Sequence, residues 1–289
     1  MHEKRAMLSR RGAVAILAAA GVLSSARAQE IGRETAREKT QEKTSALLRT
    51  LHARAASAAP GGRGNPLRYE GSAPGPVLRV RQREELRVRL VNELAEATTV
   101  HWHGLRLPNA MDGVAHLTQP PVEAGESFDY RFRPPDAGTF SYHAHSAEQA
   151  DAGLYGALLV EEREAVDADR DVVLVLGLPD AGERSQLPVL NGVVQPDILV
   201  QPGERLRLRM INAAAARGLS LKLEGHAAWV MALDGQPVEP FLARESRVGL
   251  APGSRVDLFV DATASAGAVA PIRSGMRDDT TIARLVYQG

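Results

Sequence analysis

Residues 86–92 read LRVRLVN, and residues 206–212 read LRLRMIN. Both stretches alternate apolar with charged residues, the period of two expected of a β-strand with one buried face. They lie 120 positions apart, so Leu86, Val88, Leu90 and Asn92 correspond to Leu206, Leu208, Met210 and Asn212. The match extends outwards. Pro76 corresponds to Pro196 and Val80 to Val200, and GESFDYRF (125–132) has a looser echo in GSRVDLFV (253–260). Short strands between Pro/Gly turns, repeated over this length, predict an all-β chain of two homologous sandwiches. The expected boundaries are 65–162 and 170–289, with a junction near EEREAVDADRD.

The N-terminus carries a different signal. Lys4, Arg5, Arg10 and Arg11 precede an apolar run from Gly12 to Leu23, and Ala26-Arg27-Ala28 has the small-x-small form of a cleavage site. A signal peptide over residues 1–28 is expected, because the run falls short of the ~20 residues that cross a bilayer. Ser9-Arg10-Arg11 is similar to a twin-arginine export signal, although Ala13 stands where a large apolar residue is usual. The mature protein is therefore expected to be periplasmic or secreted, without a transmembrane segment. Residues 29–64 are charged and Ala-rich, and are expected to form a linker that is helical to about Ala55 or disordered, broken by PGGRGN.

Composition excludes several functions. Lys plus Arg equals Asp plus Glu at 35 each, so neither nucleic acid nor an anionic membrane is an expected partner. With no cysteine there are no disulfides, zinc–thiolate sites or thiol nucleophiles. Aromatic residues make up only 4%, so a core of Val, Leu and Ala is expected.

Four of the eight histidines form two His-x-His pairs, His101/His103 and His143/His145. Residues i and i+2 of a strand share a face with Cα atoms ~6.5 Å apart, so each pair presents two imidazoles side by side. Two such strand ends meeting would bring four imidazoles together, a donor set better suited to copper or zinc than to calcium or magnesium. The repeat acts as an internal control. The positions 120 residues beyond His101 and His103 are Leu221 and Leu223, so the fold does not require histidine there. His2 and His52 fall in the signal and linker segments, while His116 and His226 are isolated and read as structural or surface residues.

In order along residues 65–162 come PGPVLRV, HWHGLRLPNAMDG, LTQPPVEAGESFDYRFRPPDAGTFSYHAH and GLYGALLVEE. This series resembles the multicopper oxidases, the laccase-like enzymes built from cupredoxin domains. LNGVVQPDILVQPGERLRLRMINAAAARG, LDGQPV and LAPGSRVDLFVD resemble the family's middle domain, which carries no copper ligands in three-domain members. The resemblance implies two tandem cupredoxin-like Greek-key β-sandwiches and copper as cofactor. It implies that His101 is a type 2 copper ligand and that His103, His143 and His145 are type 3 ligands. Asp112 in MDG matches an acidic residue that serves as a proton relay, although an Asx-Gly turn explains it equally well. Trp102 and Tyr142 read as core residues.

The family draws electrons through a Cys-containing type 1 copper and reduces O2 at a trinuclear cluster during one-electron oxidation of a substrate. This sequence has no cysteine and lacks the His-Pro-x-His-x-His and His-Cys-His runs of the third domain. The expectation is an oxidoreductase that is inactive alone and supplies half of a type 2/type 3 cluster, completed by a third cupredoxin domain in trans. O2 and an unknown electron donor would then be its partners. Two alternatives stand beside it: an exported copper-sequestering protein without turnover, and a structural cupredoxin protein.

Overall fold

The computed structural model describes residues 48–56, 66–177, 188–275 and 280–289. The expected signal peptide and most of the expected linker lie outside the described residues. The first half contains β1 (Arg49–Ala55), β2 (Leu67–Tyr69), β3 (Leu78–Arg81), β4 (Leu86–Asn92), β5 (Val100–His103), β6 (Ser127–Phe132), β7 (Gly138–Ala144), the short helix α1 (Ala147–Asp151) and β8 (Tyr155–Glu161). They form two sheets, ordered β2-β1-β4-β6 and β3-β8-β7-β5, with β1 parallel to β4 and β3 parallel to β8.

The second half contains β9 (Arg170–Gly177), β10 (Val189–Leu190), β11 (Asp197–Val200), β12 (Arg205–Asn212), β13 (Leu219–Leu223), β14 (Trp229–Leu233), β15 (Gln236–Leu242), β16 (Arg247–Leu250), β17 (Arg255–Asp261), β18 (Val269–Ser274) and β19 (Thr280–Tyr287). Its sheets run β10-β9-β12-β17-β14-β15 and β11-β19-β18-β13-β16. The orders repeat strand for strand, β9∥β12 echoing β1∥β4 and β11∥β19 echoing β3∥β8, with β14, β15 and β16 added. The fold is all-β, of cupredoxin-like sandwiches.

Three sequence expectations need correction. The linker was expected to be helical up to Ala55, yet residues 49–55 form β1, which pairs with β4 from Arg49↔Val88 to Ala53↔Asn92. Leu51 and Ala53 are fully buried in the first core. Alternation along RTLHARA, with apolar residues at 51, 53 and 55, outweighed the helix-favouring residues before it. His52 therefore sits on a strand and not in a tether; its Nδ1 meets Glu93 Oε1 at 2.5 Å.

The second correction concerns the strand matched to the histidines: Leu221 and Leu223 are buried in the second core, so they stand in the place of Val100 and Trp102 and not of His101 and His103. Both cores are mostly Leu, Val and Ala, as composition requires, and among the described residues the second has Tyr287 as its buried aromatic. In the first half Tyr69, Trp102, Tyr130, Phe132, Phe140 and Tyr142 pack together, Trp102 lying 4.9 Å from Phe132 and 5.4 Å from Tyr130 between ring centroids. The scarce aromatics are concentrated under the histidine strands.

The third is the polar face of the repeat. On β4 the alternation gives the expected exposed Arg87 and Arg89, but Arg207 and Arg209 on β12 are buried. The two halves form one compact unit, and β7, β8 and β12 are covered on both faces. Tyr155, Ala157, Val175 and Ile211 make an apolar cluster between the halves. Beside it, Asp257 Oδ2 accepts from Arg207 at 2.7 Å and from Arg209 at 3.4 Å, while Thr139 Oγ1 on β7 donates to Asp257 Oδ1 at 2.6 Å. Glu162 accepts from Arg207 Nη2 at 2.6 Å and Asp171 from Arg209 Nη2 at 2.9 Å, while Arg209 Nε has no hydrogen-bond partner. Isolated buried guanidiniums would be prohibitive, so the carboxylates and hydroxyl are what permit this seam.

Candidate metal centre

β5 and β7 pair antiparallel with His101 opposite His143 and His103 opposite Ser141. The alternation sends Trp102, Tyr142 and Ala144 into the first core, while His101, His103, Ser141 and His143 emerge on the outer face. Tyr142 is anchored there by donating its hydroxyl to the Pro76 carbonyl at 2.8 Å. In the second half Leu221 and Leu223 point into the core, as Val100 and Trp102 do in the first, and the pair in the place of His101 and His143 is Lys222 opposite Arg273.

His101, His103 and His143 are half-buried, and one ring nitrogen of each lies within 4.8 Å of the others. His101 Nδ1 donates to the Asp112 carbonyl at 2.8 Å, which leaves its Nε2 with a free lone pair. His143 Nδ1 donates to the Ala144 carbonyl at 2.8 Å with the same result. His103 Nδ1 faces His143 Nε2 at 3.3 Å. Without a metal these two nitrogens share one proton; with a cation between or beside them both can present lone pairs. Fixed tautomers and converging imidazoles fit copper.

His145 was expected to join the group. It is exposed, outside the three-histidine group, with its ring centroid 6.2 Å from that of His101. Three of the four imidazoles are thus brought together, and the fourth stands at the rim. Asp112 ends a 3-10 turn (Asn109–Met111); its carboxylate Oδ1 is 3.6 Å from His101 Nδ1, so it approaches His101 through backbone and side chain alike. Gly113, at φ +77°, makes this approach possible, since a Cβ there would fall 1.7 Å from the Val100 carbonyl oxygen. His116 and His226 lie elsewhere. Both ring nitrogens of His226 are satisfied, by the Glu224 carbonyl and the Tyr287 hydroxyl, as a structural histidine requires.

Burial and neighbouring charge favour the neutral form of His103 and His143. Burial, the positive charge of Arg255 and the neighbouring His143 and His101 push the His103 pKa down to about 4. Burial also lowers the His143 pKa, outweighing its hydrogen bond to Ala144, which acts the other way. Unprotonated imidazole is the form that binds metal.

The histidines line a cavity of about 360 Å³ whose opposite wall comes from the second half: Asn212, Ala213, Ala214, Ala215, Pro252 and Gly253. Sequence reading gave the second half no place at the centre. The signal was present in small residues, Ala213–Ala215 and Gly253, but small residues carry no chemistry and their meaning depends on what faces them.

Two family models described as "Multicopper oxidase" match residues 53–165 and 124–289. The chain belongs to the multicopper oxidase family. Copper is the metal cofactor of this family. The first match begins inside β1, which agrees with that strand's place in the first sandwich. Among curated proteins, the chain is 30% identical over 266 residues to "Multicopper oxidase MmcO" of Mycobacterium tuberculosis, covering 75% of this chain and 51% of that protein. It is 29% identical over 271 residues to "Copper resistance protein A" of Pseudomonas syringae pv. tomato, covering 71% and 44%. The chain therefore spans about half the length of these relatives. Among solved structures, a multi-copper oxidase from Pseudomonas thermotolerans matches with a TM-score of 0.75 and 37% identity, over 84% of this chain and 64% of that one. Lac15 from a marine microbial metagenome matches with a TM-score of 0.69 and 35% identity, over 84% and 67%.

Proposed function

We propose that this multicopper oxidase chain is a copper-binding oxidoreductase component that supplies His101, His103, His143 and His145 to a type 2/type 3 copper cluster. The convergence of three imidazole nitrogens within 4.8 Å on the outer face of β5 and β7 supports this reading. When bound, copper supplies the one-electron redox chemistry for reducing O2 to water.

The chain's own residues then have separate tasks. The Asp112 and Ala144 carbonyls hold the tautomers of His101 and His143, so each directs Nε2 into the cavity. The Asp112 carboxylate, half-exposed beside His101, can take up or release protons at the cavity edge. Ala213, Ala214 and Pro252 narrow the opposite wall. The sequence holds no cysteine, so the type 1 site and the remaining ligands belong to a further cupredoxin domain, supplied in trans in our reading. Export by the residue 1–28 signal places the protein in the periplasm or outside the cell; mass analysis of the mature N-terminus tests cleavage after Ala28.

Copper stoichiometry and copper EPR of the purified chain test the site. Bound copper should be lost in His101→Ala/His143→Ala. O2 consumption, measured with and without a Cys-containing cupredoxin partner, tests the completed oxidase. Bound copper without any gain in O2 consumption on mixing would favour the sequestering alternative. A metal-free wild-type chain would defeat both.

A further inference from the structure

The second sandwich touches the histidine cluster at one ring. Gly253, at φ +73°, lies flat against His103: a Cβ there would stand 2.9 Å from His103 Cε1 and 3.2 Å from Nε2. The next residue after His103 is covered from the same side. A Cβ on Gly104, at φ +84°, would fall 2.2 Å from Arg255 Nη2. His103 and Gly104 are therefore packed directly under a turn and a guanidinium from the other half.

Arg255 ties these contacts together. Its side chain is 4% exposed. Nη1 donates to the Gly253 carbonyl at 2.9 Å, Nη2 to the Asp234 carbonyl at 2.9 Å, and Nε to the Thr139 carbonyl at 3.4 Å. One planar group thus joins the turn lying on His103 to β7, the strand that carries His143. A guanidinium fork can satisfy three carbonyls in fixed directions, whereas a lysine ammonium is a single point on a flexible stem. The repeat again supplies a control. The residue matching Arg255 in GESFDYRF is Ser127, exposed at the start of β6, so the fold does not require arginine at this place.

We propose that Arg255 is a positioning residue: acting through the Gly253 turn, it fixes the His103 ring so that Nδ1 points into the cluster. This rests on the reading of His103 as a metal ligand. Groups that orient a ligand typically change metal affinity about 10- to 100-fold when removed, although they never touch the ion.

The test uses the full chain and two independent readouts. Imidazole nitrogen NMR of the metal-free protein reports ring environment and tautomer; competition titration with copper alone reports affinity. Gly253→Ala and Arg255→Met should each shift the His103 resonances while leaving those of the remote His226 in place, and should weaken copper binding about 10- to 100-fold. Arg255→Lys keeps the charge but loses the fork, and should shift His103 as well. It also serves as the arginine probe should Arg255→Met fail to fold. The proposal is overturned if folded Arg255 variants leave His103 at its wild-type resonances, whatever happens to stability. A wild-type chain that takes up no copper would instead refute the proposed metal site, and the NMR comparison would still decide the role of Arg255.

Discussion

The repeat pairs the same charges twice in different surroundings, which permits a controlled measurement. Arg89 and Asp129 face each other across β4 and β6 in a bidentate pair at 2.6 and 2.6 Å, with side chains 44% and 53% exposed. Arg209 and Asp257 face each other across β12 and β17, both 1% exposed. Asp129→Asn removes a solvated pair and should cost about 0–1 kcal/mol. Asp257→Asn is nearly isosteric, yet it turns an acceptor edge into a donor facing Arg207, whose Nη2 and Nε lie 2.7 and 3.1 Å from Oδ2. Glu162 and Asp171 still partly compensate the two cations, but the charge-assisted bonds at the seam are lost, and about 3–5 kcal/mol is expected. For a chain of this size that is roughly a 6–20 °C fall in melting temperature, against at most about 4 °C for Asp129→Asn. Urea denaturation of both variants, at low and high salt, measures the difference, and salt should weaken only the exposed pair. Two variants within about 1 kcal/mol of each other, or equally sensitive to salt, would refute the reasoning.

Four further outcomes follow from the site. His103→Leu should change the acid stability of the metal-free chain. His103 is neutral in both states above about pH 6.5; as pH falls the unfolded chain takes up the proton first, because the folded pKa lies at about 4. Wild-type stability is therefore lost across that window. Relative to its value at pH 7, the variant should gain on the order of 1–2 kcal/mol over wild type by pH 4, allowing for partial exposure; a constant gap in urea titrations would contradict this. Gly113→Ala should destabilise by at least about 2 kcal/mol, from the left-handed backbone and the lost His101–Asp112 hydrogen bond, read by the same titration. Trp102→Ala, emptying the aromatic core beneath the cluster, should cost about 3–5 kcal/mol and abolish stoichiometric copper binding in metal analysis. His145→Ala should weaken copper binding in the isolated chain less than His103→Ala or His143→Ala, because His145 lies outside the three-histidine group; competition titration ranks them.

Much of the fold is legible because β-strand alternation and the 120-residue repeat are local signals. Leu86 to Asn92 and Leu206 to Asn212 occupy equivalent strands, as their pattern requires. What the pattern does not carry is the destination of the polar face. Arg87 and Arg207 look alike in sequence, and only the packing of one half against the other buries the second. β1 was hidden for a related reason: its partner, β4, lies far along the chain, while the charged residues before it favour helix. At the site, the two His-x-His pairs were legible from strand geometry, but Gly253 and Arg255 were not. Glycine next to a ring and arginine under a turn become informative only once the two halves are docked.

The same seam links stability to the metal centre. Along the outer face of β7, Thr139 enters the buried ion cluster, Ser141 follows, and His143 reaches the cavity. At ~3.3 Å per residue, Thr139 and His143 are about 13 Å apart on one rigid strand. Arg255 grips the Thr139 backbone at one end of that span and the Gly253 turn over His103 at the other. Two strands from one sandwich carry the imidazoles, but their spacing against the opposite wall is set by the other sandwich. A duplication that began with two equivalent halves has therefore divided the work. One half carries histidines on its outer face; the other has Arg255 where the first has Ser127, and Lys222 opposite Arg273 where the first has His101 opposite His143. The second half thus lines the histidine cavity and, on the proposed reading, shapes the copper centre without contributing a ligand, so loosening the seam should reach copper affinity through His103 before it reaches the fold.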